Sequence, residues 1–385
     1  MKKKILFSGI MAAFAFTSVS QADVVVGVNV SATGPAAAIG IQSQNAMSLW
    51  PETLGGEKAK YIILDDGTDV SKAVRNVRKL TSEDKVDIII GPNTTAATLA
   101  LLDVLKETQT PLIALAASSS IVEPADDPGR RWVFKMPQND GLMADVLIDE
   151  MVKKGHKTIG FIGFADSYGE NWWKEFTSRL DGRLEVVARE SFQRTDSSVV
   201  GQALKLISAK PDAILVAGAG TPAVLPEKTL KDRGYKNPIY QTHGIGTLEF
   251  LQVGGKSVEG TLFPTGPGVV ARGLPDSNPV KAVAMDFTER YEDKYGPNTA
   301  TQFAGDAWGA WIVADKAVSR VIKKGIKPGT VEFRNALRDE IENTKDLIVP
   351  NGVLNITPRD HQGFDTRAAV MGTIKDGKFV YAGEQ

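Results

Sequence analysis

"VDIIIGPNTTAATLALLDVLKETQTPLIALAASSS", residues 86–120, holds the pattern on which the fold turns. "VDIIIGP" and "PLIALAA" are short apolar runs, each closed by small or turn-forming residues. Between them "TAATLALLDVLKET" spaces its apolar residues as one helix. Runs that do not alternate with polar residues suit strands covered on both faces. Strand, helix and strand in this order form a right-handed βαβ unit of a parallel sheet.

The same rhythm extends in both directions. Upstream lie "DVVVGVNV" (strand), a Gly34-Pro35 turn, "AAIGIQSQNAMSLW" (helix), "AKYIILDD" (strand) and "DVSKAVRNVRKLTSE" (helix). Downstream, after "EPADDPGRRWVFKMPQND", a second series begins with helix "GLMADVLIDEMVKKG" and strand "KTIGFIGF". It continues with helix "YGENWWKEFTSRL", strand "LEVVARESF", helix "VVGQALKLISAK", strand "DAILVAG", a helix through "LPEKTLKDRG" and strand "PIYQTH". The break marks a first crossing between two α/β lobes. Past "GTLFPTGPG", helices dominate ("NPVKAVAMDFTERYEDKYG", "TQFAGDAWGAWIVADKAVSRVIKKG", "TVEFRNALRDEIEN"). The end reads as strands, "GVLNI" and then "AAVMGTIKDGKFVYA", whose Asp376-Gly377 is a hairpin signal.

Composition removes several classes. Of 385 residues, 42% are hydrophobic and 24% charged, and the formal net charge is −1. Such a balance carries no electrostatic footprint for nucleic acid or anionic lipid. There is no cysteine, hence no disulfide, thiolate metal site or cysteine-borne lipid anchor. "MKKK", the apolar "ILFSGIMAAFAFTSV" and "SQA" make residues 1–22 a secretory signal peptide, cleaved after Ala22. No other run approaches the roughly 20 apolar residues of a membrane span. A soluble, exported protein of the Gram-negative periplasm is expected, with no direct membrane insertion.

The ordered set "GPNTTAAT", "PLIALAASSSIVEP", "FADSYGEN" and "FAGDAWGAW" resembles the type I periplasmic solute-binding proteins of ABC importers, nearest to the branched-chain amino acid-binding (Leu/Ile/Val-binding) family. The likeness spans essentially the whole mature chain. It implies an α/β fold of two Rossmann-like lobes, parallel sheets flanked by helices, and three hinge crossings. The expected division is 23–138 plus 267–347 for the N-terminal lobe and 139–266 plus 348–385 for the C-terminal lobe. It also implies a monomer that traps one small ligand and hands it to an inner-membrane ABC permease, with no cofactor.

The loops support a site independently, because ligands of open α/β sheets bind beyond the carboxyl ends of strands. Asn93-Thr94-Thr95 follows one strand and Ser118-Ser119-Ser120 the next. Hydroxyls and free backbone N–H groups at helix starts suit a carboxylate. The bland reading is helix capping, which Ser and Thr favour anyway. With the resemblance, Thr95, Ser118 and the Ser120 backbone become the carboxylate loop, Tyr168 the second lobe's contact tyrosine, and Phe303 of "FAGDAWGAW" a further wall residue.

Other signals are weak. "LDDGTD" lacks the ligand spacing of a calcium loop and reads as a strand-to-helix turn. Gly218-Ala219-Gly220 followed by Ala223 is a poor dinucleotide loop because Pro222 interrupts it. No G-x-S-x-G elbow, H-E-x-x-H or P-loop occurs, and the histidines stand only at 156, 243 and 361. A ligand-sensing module ranks below a transport protein, and an enzyme below both.

His243, in "IYQTHGIGTLEF", separates the ligand classes. Aligning Gly244-Ile245-Gly246 on the glycine turn of the amino acid-binding relatives puts His243 where they carry an acid for the ligand's α-ammonium. Imidazole cannot replace a carboxylate as an ammonium partner, but it can hydrogen-bond an oxygen or a ring substituent. Ile39 stands where those relatives often place an aromatic hydroxyl, and Ala219 and Gly220 are small where they supply a tyrosine. An unpaired ammonium there would cost several kcal/mol. The expected ligand is therefore a carboxylate without an amine, aromatic first and branched aliphatic 2-oxo acid second. A one-residue slip would instead make His243 a core histidine.

Overall fold

A computed structural model describes residues 23–383. The signal peptide expected at 1–22 lies outside them. Two open sheets organise the chain. In the first, the strand order is Thr53–Leu54, Glu57–Asp65, Val24–Val30, Ile88–Ile90, Leu112–Ala114 and Val133–Lys135. All pairs are parallel except the short edge pairing of Thr53–Leu54. In the second, the order is Lys378–Tyr381, Val370–Lys375, Leu262–Thr265, Ile239–Gln241, Ala213–Ala217, Thr158–Phe164 and Glu185–Phe192. Its core is parallel, and the final hairpin pairs antiparallel at one edge.

The unbroken apolar runs are buried as their pattern demands. Val24, Val26, Val28 and Val30 face the helix Gln302–Lys323, which buries Ala304, Ala307, Ala310, Ala314 and Ala317 in the same core. The opposite face is covered by Val77, Leu80, Leu101 and Leu105. The late helices thus complete the first lobe. The break expected between 347 and 348 falls inside the hairpin strand Leu347–Val349. Beyond it, Leu354, Ile356, Phe364 and Ala368 still pack with the first lobe, and the chain enters the second sheet at Val370–Lys375.

The chain thus passes between the lobes after Lys135, after Thr265 and ahead of Val370. One buried polar knot joins these passages. Gln138 Nε2 donates to Asn351 O at 2.9 Å and Ala368 O at 3.0 Å. Gln302 Nε2 donates to Gln138 Oε1 at 3.1 Å, and its Oε1 accepts the Gly266 N–H at 3.0 Å. Asn351 Nδ2 donates to Asp306 Oδ1 at 2.7 Å. Burial raises the Asp306 carboxyl to about 7 against these donors. Burial likewise pulls the neighbouring Lys135 ammonium down and pushes Asp140 up.

Two expectations needed adjustment. The helix read across 95–108 is two, Thr95–Leu99 and Leu102–Thr108. The Leu101 N–H bonds Thr98 O, one residue short of the α repeat, and the helix restarts. The segment 123–140, read only as a break, contributes the edge strand Val133–Lys135.

Candidate ligand-binding site

Both sheets share one order around their first strands, so each has a switch point at which neighbouring loops diverge. Such points are where open α/β sheets bind ligands. The lobes set theirs face to face. Ile39 follows the first strand, Asn93, Thr94 and Thr95 follow Ile88–Ile90, and Leu115, Ala116 and Ala117 follow Leu112–Ala114. From the other side come Tyr168, Arg194, Ala219, His243 and Gly244, each just past a strand of the second sheet. Phe303, at the start of its long helix, completes the wall. The lobes are shut on this cavity, which leaves about 20 Å³ for the centre of a water molecule. That is close to the minimum for a single water, about 10–15 Å³.

Around the cavity the closure is largely apolar. Ile39, Ala117 and Phe303 of the first lobe belong to the core cluster of the second. Gly220 sits at φ 61°, where a side chain is strained, and a Cβ there would lie 3.4 Å from Ile39 Cγ1. The backbone conformation, more than the space, favours glycine there.

His243 is 1% exposed, and neither ring nitrogen has a hydrogen-bond partner. Its ring lies 5.8 Å from that of Trp172, tilted by 45°. Burial, with Lys135 adding to it, lowers the imidazole to about 3, so it is neutral at physiological pH. Thr242 ahead of it caps the turn His243–Ile245 by accepting the Gly244 N–H. Thr95 Oγ1 is also buried and unpartnered. Both are polar side chains of the wall buried without a hydrogen-bond partner, a capacity that an oxygen-bearing ligand could use.

The other expected residues divide. Tyr168 lines the cavity, but its hydroxyl lies 2.9 Å from Thr242 Oγ1, which donates to Gly218 O at 2.7 Å. Burial raises its phenol above the usual range. Thr94 and Ala219 lie in the wall, whereas Gly220 stands just behind it, outside the lining residues. The three serines turn elsewhere. Ser118 Oγ lies 2.6 Å from Ser120 Oγ and accepts the Ser120 N–H. Ser120 O accepts two bonds from Arg130. Ser119 Oγ lies 2.8 Å from Glu175 Oε1 and 3.1 Å from Asn171 Oδ1, so it ties the lobes together instead. Arg194 went unread, although "LEVVARESF" before it is a strand and the same carboxyl-end rule applied.

The residues 23–378 match the model of the periplasmic binding protein family. The chain belongs to that family. An extracellular ligand-binding receptor from Rhodopseudomonas palustris HaA2 is 42% identical, covers 94% of this chain and all of its own, and superposes with a TM-score of 0.89. The Leu/Ile/Val-binding protein BraC3 of Rhizobium johnstonii is 23% identical over 99% of this chain and 100% of its own. A solute-binding protein of an R. palustris ABC transporter, solved with benzoate, is 20% identical, covers 94% and 96%, and has a TM-score of 0.76. Members of the family are periplasmic solute-binding proteins that deliver small molecules to ABC permeases, and the family is not one of enzymes. Among the described residues no helix is long and apolar enough to cross a membrane, and no acidic or histidine cluster is placed to hold a metal ion.

Proposed function

We propose that this chain captures a small aromatic carboxylate between its lobes for delivery to an inner-membrane permease. The observation that carries this reading is the wall itself, which contains no Asp or Glu. An α-ammonium buried there would lack a counter-charge, at a cost of several kcal/mol. Ile39, Leu115, Ala117 and Phe303 offer apolar surface to a ring, with neutral His243 and Thr95 at hand for its oxygens. The benzoate complex of the R. palustris protein is one instance of the same fold holding such a ligand. In this reading residues 1–22 are removed on export, and the chain works as a monomer whose three passages flex as hinges.

A branched-chain amino acid is the second reading, favoured by the names of the Leu/Ile/Val-binding relatives. Calorimetry against benzoate, phenylpyruvate, 4-methyl-2-oxovalerate, leucine and valine decides between them. Tight leucine or valine binding with the aromatic acids inert would sink the first reading.

A further inference from the structure

Arg194 is the sole formally charged residue of the cavity wall. It also lines a second chamber of about 150 Å³, which it shares with Thr94, Thr95, Tyr168 and its own partner Asp166. Its guanidinium is held on two sides. Nε donates to Asp166 Oδ2 at 2.7 Å, and Cζ lies 4.0 Å over the Phe164 ring. Asp166 is itself fixed, since its Oδ1 accepts the N–H groups of Tyr168 and Gly169. Among the described residues nothing hydrogen-bonds to either Nη, although the side chain is only 15% exposed. The result is an oriented fork with its terminal donors free. Thr95, 3% exposed with an unpartnered hydroxyl, lines both chambers from the opposite lobe.

We propose that Arg194 and Thr95 together clamp the ligand's carboxylate, one from each lobe, and that this clamp couples the ligand's negative charge to closure. The proposal rests on the function proposed above and adds the group that selects anions. A planar guanidinium matches a carboxylate through two parallel N–H···O bonds, and such charge-assisted bonds exceed neutral ones in strength. The Asp166 contact orients the fork without using its ends. Because the partners stand on different lobes, a carboxylate satisfies both only when the lobes meet. A neutral isostere of the same shape satisfies the Thr95 hydroxyl but draws little from Arg194.

Benzoate and benzamide form the test pair, measured by calorimetry on wild type, R194Q, R194K and T95V, with solution scattering to read closure. Wild type is expected to prefer benzoate by about ten- to a hundredfold, the factor a charge-assisted hydrogen bond supplies. R194Q should abolish that preference, read as the benzoate-to-benzamide ratio within each variant so that any change in stability or general binding cancels, and R194K should restore part of it. Benzoate should compact the wild type more than benzamide does. Undiminished preference in R194Q, with wild type binding benzoate, overturns the Arg194 role and leaves the functional reading standing. If leucine binds and benzoate does not, the functional reading has failed. The same comparison with leucine and leucinamide then decides Arg194 alone. A wild type that binds none of the panel overturns both.

Discussion

At His243 a single imidazole sets both the chemistry of the cavity and an acid liability of the fold. Its folded value near 3 lies below its ordinary 6.5, so the unfolded chain binds a proton in that window and the folded chain does not. Stability from this residue is intact above 6.5 and is lost as the pH falls toward 3, by at most about 1.4 kcal/mol per unit. H243N, which cannot titrate there, should therefore gain on wild type in melting temperature between pH 7 and pH 4. Parallel melting curves across that range would refute it. The hydroxyl residues divide by whether the protein already engages them. T95V should weaken carboxylate binding about ten- to a hundredfold, whereas S118A, whose hydroxyl is already engaged with Ser120, should bind within about twofold of wild type in calorimetry. Equal losses in both variants would count against this division. At this scale the sequence indicated position: Thr95 and His243 lie in segments that follow strands, and both line the cavity, as does Arg194, which the same rule could have found. It was unreadable for the serines, because which way a hydroxyl turns depends on Arg130, Asn171 and Glu175, all distant in the chain.

Elements were the most legible level, because burial on both faces leaves an unmistakable apolar run. "DVVVGVNV" could be little else than a central strand, and it is one. Asp376 and Gly377 both take positive φ, 52° and 68°, as the hairpin turn between Val370–Lys375 and Lys378–Tyr381 requires. Short edge strands such as Thr53–Leu54 and Val133–Lys135 escaped, since two or three residues carry no period. Packing between elements is stricter than their pattern suggests. In the helix Ser167–Thr177, Gly169 lies so close to the preceding strand that a Cβ would meet Phe164 O at 1.9 Å. G169A should lower stability by about 1–3 kcal/mol, the usual range for overpacking. The helix would have to move off the strand, carrying Tyr168 and Trp172 with it. Chemical denaturation reads the loss, and an unchanged midpoint would show that the backbone yields freely.

The molecule as a whole couples two cores through three chain passages and one polar knot. Helices after Thr265 return to the first lobe, an interleaving that local pattern could suggest but not locate. The late boundary depended on Leu354, Ile356 and Phe364, whose apolar character fits either core. If the passages flex, a bound ligand should compact the protein in solution scattering at constant mass. An unchanged radius of gyration at saturation would contradict hinge closure. I39S should shift the unliganded protein toward the larger form, because it removes apolar contact between the lobes. Identical scattering of variant and wild type would mean the contact does not hold the jaws. The contact of Ile39 with the second lobe has a cost at the level of the cell. If that contact supplies part of the closing free energy, a fraction of carriers would shut without cargo. A shut, unladen carrier with the outline of a laden one would occupy a transporter unproductively. Where import is limited by transporter number, raising carrier abundance at fixed solute should then speed uptake only to an optimum. Beyond it, futile dockings compete with productive ones and uptake slows.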